Sequence, residues 1–289
     1  MATLQGKSAL VTGSGGGIGL ELAKALAARG ANIILNDIRD AAEVSDIKQD
    51  IESTYGVEVL YAKADVTNPA DVEAMMKMAK DRFGGLDILV NNAGIQRKHP
   101  LPDFPIDQWE AVLKTNLFAI FYATKYAIDL MPEGGTIINI ASVNGHVGSP
   151  DKSAYCTAKG GAIQFTRQAA VDLHDKQIRV FSVSPGFVDT PLARQQVKDF
   201  QEKDNLSEAD AINKLLEFQQ VKEFISLEAL GNVVANLSAL PVEKAMALSG
   251  GDVLIDNGWR DNIYTQRPPQ ISDAVVEQLK QTDPADIAA

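Results

Sequence analysis

The chain has 289 residues, 45% hydrophobic and 22% charged, an ordinary globular composition long enough to bury a full core and unlike that of a disordered polymer. Lys and Arg number 27 against 38 Asp and Glu, a net charge of −11, which argues against a general grip on nucleic acid but leaves a locally positive pocket for an anion open. The one cysteine, Cys156, excludes an internal disulfide and a cysteine-cluster metal site, no apolar run reaches a membrane span, and the opening MATLQGKSALVTG has no signal-peptide core, so a cytoplasmic protein is expected.

A first strand at 8–11 runs through a glycine-rich turn into a helix at 17–29. A strand at 32–35 follows, then a helix at 41–55, a strand at 57–62 and a helix at 70–83. Next come a strand at 86–90, a long helix at 106–130, a strand at 136–140 and a helix at 154–175. Strands at 179–183 and 253–255 enclose a helix at 227–240. The strands are rich in Ile, Val and Leu on both alternating faces, as in a parallel sheet covered on both sides. Strand–helix alternation of this kind predicts a doubly wound α/β sheet. Two stretches break the rhythm. Residues 191–223 are polar and helical by propensity, either a surface excursion or, with their flanks (190–224), a substrate lid inserted in a single domain of 1–262. Residues 263–289 form a C-terminal extension with Pro268, Pro269 and an amphipathic run at 271–279, either a loose end or a clasp on a neighbouring subunit.

The first turn reads Thr12-Gly13-Ser14-Gly15-Gly16-Gly17-Ile18-Gly19, with a strand before it and a helix after it. Gly13 suits the tight turn, Gly17 lets backbone approach a pyrophosphate, and Gly19 allows close helix–strand packing. The helix N-terminus then offers free N–H groups to the phosphates. Asp37, 18 residues past Gly19, stands where a ribose-binding carboxylate belongs. It favours NAD by repelling a 2′-phosphate, although Arg39 is near enough to reach one.

Tyr155 and Lys159 are spaced i, i+4 and share one helix face. Ser142 follows the strand at 136–140, on the edge where open α/β sheets bind ligands. The trio suits hydride transfer by a cofactor with proton transfer by the protein. A neighbouring ammonium and a positive nicotinamide ring would lower the phenol pKa from its usual value near 10, and Ser142 would hold the reacting oxygen.

Together these motifs resemble the short-chain dehydrogenase/reductase family over about residues 6–260. The match rests on the loop at 12–19, Asp65-Val66, Asn91-Asn92-Ala93-Gly94, Asn116, Ser142, Tyr155, Lys159 and Pro185-Gly186. The resemblance implies a Rossmann-type, seven-stranded parallel sheet with helices on both faces, and a homotetramer. It implies that Ile18 belongs to the cofactor loop, that Asp65 and Val66 flank the adenine, and that Asn92, Ala93 and Gly94 line the cofactor cleft. Asn116 would kink its helix and hold a water that extends the proton relay through Lys159. Pro185, Gly186 and Val188 would border the nicotinamide, and Thr190 would bond its carboxamide.

Within that family the strings NNAGIQ (91–96), GSPDKSAY (148–155), Thr190-Pro191-Leu192 with Gln195-Gln196, and Gly258-Trp259 resemble the members that act on 3-hydroxybutyrate. That resemblance puts Gln96, Asn144, Lys152, Gln196 and Trp259 at the substrate: Lys152 supplies a cation, the glutamines supply amide donors, and Trp259 closes the far end. Those members have His where this chain has Asn144, which donates a hydrogen bond but carries no charge. His146 would face away if the segment is extended. Asn257 stands where a turn glycine is expected, and Asn next best tolerates positive φ. The string NNAGIQRKHP (91–100) also resembles gluconate 5-dehydrogenases, with Arg97 and Lys98 beside the cleft, which makes a sugar acid the alternative. A non-catalytic NAD-sensing protein on the same fold is the alternative of another class.

Overall fold

The structure is a computed structural model describing residues 3–260; the expected extension at 263–289, with its run at 271–279, lies outside the described residues. Seven strands, β1 (Ser8–Val11), β2 (Asn32–Asp37), β3 (Val59–Lys63), β4 (Ile88–Asn91), β5 (Thr136–Ile140), β6 (Arg179–Pro185) and β7 (Asp252–Ile255), form one sheet in the order β3-β2-β1-β4-β5-β6-β7. Every pairing is parallel. Val11 stands opposite Leu35 on one side and Val90 on the other, so β1 is the centre from which the sheet grows both ways.

Ten α-helices cover it: α1 (Gly17–Ala27), α2 (Ser45–Tyr55), α3 (Pro69–Phe83), α4 (Ile106–Leu113), α5 (Ala119–Ala127), α6 (Ser153–Asp172), α7 (Pro191–Asp204), α8 (Glu208–Leu215), α9 (Leu227–Ala239) and α10 (Val242–Met246). Side chains on one strand alternate between two cores, because successive Cβ atoms point to opposite faces. Val11, Ile33 and Leu35 pack with Leu22, Leu26, Ile51 and Val234 under α1, α2 and α9. Leu10, Ile34 and Leu89 pack with Met75, Met76, Ala123 and Ala169 under α3, α5 and α6. Boundary signals are local: Asn68 caps α3 by accepting from Ala70 N–H, Pro69 opens it, and Gly84 ends it in the left-handed region.

The elements differ from expectation where tertiary contacts intervene. The expected helix at 106–130 is four pieces: α4, a π-helical turn at Lys114–Phe118, α5, and a 3-10 turn at Ile128–Leu130. The polar stretch at 191–223 holds α7 and α8, separated by Asn205 at φ 50°, and they enclose a small core of Val197, Ala211, Leu215 and Leu216. Short α10 carries too few apolar positions to show a period. Asn257 does take positive φ, 52°, and its carbonyl receives Gln220 and Val221 N–H.

Candidate active site

The sheet's strand order reverses between β1 and β4, which leaves a crevice at the carboxyl ends of the strands. A cleft of about 960 Å³ lies there, enough for a dinucleotide and a small substrate together. Of the site residues expected from the sequence, all but Asn116 line it.

One end of the cleft is built from glycines. Gly19 packs so tightly that a Cβ there would stand 2.3 Å from the Gly13 carbonyl oxygen and 2.5 Å from the Asn92 amide nitrogen. Gly17 has φ 55°, and a Cβ added to it would meet nothing within 4 Å, so the space in front of the loop is open. The N-terminus of α1 has no side-chain cap, so its first-turn N–H groups remain for an anion. Thr12 ties this loop to the next: its hydroxyl accepts from Asn92 N–H (2.9 Å) and Ala93 N–H (3.0 Å). Asn92 in turn donates to the Thr12 and Gly13 carbonyls. The donor set and the empty cradle fit a dinucleotide pyrophosphate.

Asp37 ends β2 and faces the cleft. Arg39 donates to its carboxylate from both its backbone (3.1 Å) and its guanidinium (3.0 Å), and the guanidinium also reaches the Gly15 carbonyl. Burial alone would raise the Asp37 carboxyl, but Arg39 outweighs it and holds the group below the usual carboxylate range. Asp65 receives Thr67 through both N–H (2.8 Å) and hydroxyl (2.7 Å), which fixes the turn that carries Val66. If Asp37 selects against a 2′-phosphate, Asp37→Ala raises kcat/KM with NADP relative to NAD by at least tenfold; an unchanged ratio in paired initial-rate assays would remove that role.

Further along the cleft, α6 sets Tyr155 and Lys159 on one face, with the Lys159 ammonium 5.7 Å from the centre of the Tyr155 ring. Lys159 donates to the Ile140 carbonyl at the end of β5 (2.6 Å), and burial lowers its pKa to about 8. Burial raises the Tyr155 phenol, and a hydrogen bond with Ser142 works against that rise. The expected lowering by Lys159 is therefore not a property of the pocket alone. Ser142 is also an N-cap: its hydroxyl accepts from Asn144 N–H (3.2 Å) at the head of a 3-10 turn, Val143–Gly145. Asn116 lies behind this cluster, in the π-helical turn. Its amide is held by Ile95, accepting from N–H (2.7 Å) and donating to C=O (2.8 Å).

The third part of the cleft holds the residues expected at the substrate. Lys152 is only 8% exposed, yet its ammonium has no anionic partner among the described residues; it sits over the Phe187 ring at 5.8 Å. Burial, with the charge of Lys98 added, lowers its pKa to about 8. Trp259 stacks between Phe187 (5.0 Å) and Phe218 (5.9 Å). The Asn144 Oδ1 and the Trp259 Nε1 are buried without hydrogen-bond partners. Gln96 and Gln196 both line the cleft, and Lys98 donates to Gln196 Oε1 (3.3 Å), tying a loop to α7. Thr190 caps α7 by accepting from Ala193 N–H (3.2 Å), which leaves its own proton to donate. Around His146 the backbone turns rather than running extended, and its ring pairs with Asp252 (2.7 Å), outside the cleft.

Phe187 and Gln219 were not foreseen. Phe187 follows the Pro185-Gly186 pair, a position that could have been found by extending that motif one residue. Gln219 is fully buried and carried no pattern; its amide accepts from Phe187 N–H (3.1 Å) and donates to the Val221 and Glu223 carbonyls. Among the described residues no cluster of His, Cys, Asp or Glu is placed to hold a metal ion, and no helix is long and apolar enough to cross a membrane.

A dinucleotide cradle, a Ser–Tyr–Lys cluster and a parallel seven-stranded sheet thus meet in one crevice. The chain matches the short chain dehydrogenase family over residues 7–201 and belongs to it, an oxidoreductase of the class that works with a nicotinamide cofactor. It is 42% identical over 260 residues to a D-beta-hydroxybutyrate dehydrogenase of Cupriavidus necator, covering 89% of this chain and 98% of that one. Identity to the D-beta-hydroxybutyrate dehydrogenase of Rhizobium meliloti is 39% over 256 residues, covering 88% and 98%. L-sorbose reductase from Gluconobacter frateurii, solved with NADPH and L-sorbose, superposes with a TM-score of 0.83 at 27% identity, covering 89% of this chain and 97% of that one.

Proposed function

We propose that the protein is an NAD-dependent dehydrogenase interconverting a small 3-hydroxy acid, 3-hydroxybutyrate or a close analogue, and its 3-oxo acid. The observation that carries this reading is Lys152, a largely buried residue that lines the cleft with Tyr155 and whose ammonium has no anionic partner among the described residues. Burying a cation without a partner is costly, and a neutral secondary alcohol would leave it so; a substrate carboxylate pairs it. The match to two D-beta-hydroxybutyrate dehydrogenases supports the same substrate, and Asp37 in the cleft supports NAD.

In the oxidative direction Ser142 donates to the substrate hydroxyl oxygen and Tyr155, as phenolate, accepts its proton. A nicotinamide bordered by Pro185, Gly186 and Val188 and bonded by Thr190 would supply the two-electron oxidant that takes up the carbinol hydride. Lys159 lies beside the phenol, anchored on Ile140, where its charge together with that of a bound nicotinamide would favour the phenolate. Lys152 holds the carboxylate, with the Asn144 amide and the two glutamines around the chain. A sugar acid is the second reading, favoured by the unpaired Asn144 Oδ1 and Trp259 Nε1, which extra hydroxyls would satisfy.

Initial rates with NAD and 3-hydroxybutyrate or gluconate decide between them. No turnover of either acid at tens of millimolar would remove both names. A pH profile adds a second check. Lys152 loses its charge above about pH 8, so kcat/KM for the acid falls about tenfold per pH unit above that value. Lys159 titrates in the same range, so the comparison is a neutral secondary alcohol, which shares the Lys159 limb and lacks the Lys152 one. Superimposable profiles would contradict the assignment of Lys152.

A further inference from the structure

Lys152 does not stand alone. The loop that follows Gly94 and the turn that precedes α6 are joined by a backbone hydrogen bond from His99 N–H to the Asp151 carbonyl (2.9 Å). Asp151 takes a left-handed conformation, φ 60°, to present that carbonyl. The residues on either side of this bond are Lys98 and Lys152, so the main chain sets two cations next to one another. The Lys98 ammonium is then tied to α7 through Gln196, whose side chain lines the cleft. Neither lysine forms an ion pair among the described residues, and the Asp151 carboxylate pairs with neither. Lys98 depresses Lys152, as a like charge at close range does.

Two like charges held in one neighbourhood repel, and a negative group that reaches both offsets that cost. A surface of net charge −11 has carboxylates to spare, yet none is placed here. The geometry points to Lys98, exposed and outside the cleft lining but bonded to the lining residue Gln196, as a second anion-binding group, and to a hydroxy acid with a second carboxylate, at the end remote from the one on Lys152, as the preferred substrate class. This rests on the reading that Lys152 takes a substrate carboxylate. Lys152 holds the first carboxylate, Lys98 with the Gln196 amide beside it meets the second, and the carbinol between them faces Tyr155.

The test compares 3-hydroxyglutarate, its mono-methyl ester and 3-hydroxybutyrate with NAD, on wild type and Lys98→Gln. The diacid is expected to exceed its half-ester at least tenfold in kcat/KM, mainly through KM, and Lys98→Gln is expected to reduce that ratio at least tenfold. A diacid no better than its half-ester in the wild type overturns the proposal. So does a Lys98→Gln variant that loses the same factor on all three acids, because Lys98 would then serve the single carboxylate. Titration with glutarate, which has no hydroxyl to oxidise, reads the site without turnover. Glutarate binding at least tenfold weaker in Lys98→Gln supports the second site even if no acid is oxidised, an outcome that would remove the proposed function alone. Equal glutarate affinity in the two proteins counts against the site.

Discussion

Tyr155→Phe is expected to lower kcat by roughly 10²–10⁴-fold, the range of a lost general acid/base, with cofactor affinity nearly unchanged. The substitution removes one oxygen and leaves the ring packed against the cluster of Val112, Ala154 and Ala158. Lys159 stays on the Ile140 carbonyl, and the glycine cradle at the other end of the cleft is untouched. Without the phenol no other side chain beside Ser142 exchanges a proton with a substrate oxygen: Lys159 is committed to main chain and Asn144 does not titrate. Single-turnover rates and a titration of cofactor fluorescence check the two halves separately. A variant keeping a tenth of wild-type turnover would show that the proton leaves by another route.

Lys152→Met is expected to act in opposite directions on binding and on stability. A charged hydrogen bond is worth about 1.5–3 kcal/mol, so kcat/KM for a 3-hydroxy acid should fall about 10- to 150-fold, carried by KM. The fold should gain. Holding the ammonium at a pKa of about 8 instead of 10.5 costs the native state about 3 kcal/mol at neutral pH. The depressed pKa penalises the charged form, so the cost is complete below pH 8 and fades as pH rises toward 10.5. Methionine keeps the stem on Phe187 without the charge, and a rise of about 5 °C in melting temperature at pH 7 is expected, vanishing near pH 10.5. A variant both weaker in KM and lower in melting temperature would mean that Lys152 has a structural partner.

The sheet was legible because its inner strands, such as β4 and β5, are buried on both faces and rich in Ile, Val and Leu, while the edge strands β3 and β7 are only partly buried and keep enough of the same residues to be read. The glycine loop and the Tyr155–Lys159 spacing were legible because their physics is local: a turn, a helix N-terminus, an i, i+4 pair. What escaped is tertiary. The π-helical turn at Lys114–Phe118 arises where Asn116 turns its amide to Ile95 on another segment; the helical pattern does not show it, and only the family resemblance implies a kink at Asn116. His146 was expected to face away along an extended segment; it does leave the cleft, but by a 3-10 turn that pairs it with Asp252. The neighbourhood of Lys98 and Lys152 depends on one main-chain bond between distant loops, and main-chain bonds leave no mark on side-chain patterns.

The strand order has a consequence for how the chain is made. β2 pairs with β1, β3 with β2, β4 with the free edge of β1, and each later strand with the one before it. As the polypeptide leaves the ribosome, every new strand therefore meets an edge that already exists, and none waits for a partner still to be translated. β7 and Trp259 are the final pieces of the described chain to dock. A nascent protein can thus assemble most of its crevice early, while the side of the cleft formed by Trp259 arrives last.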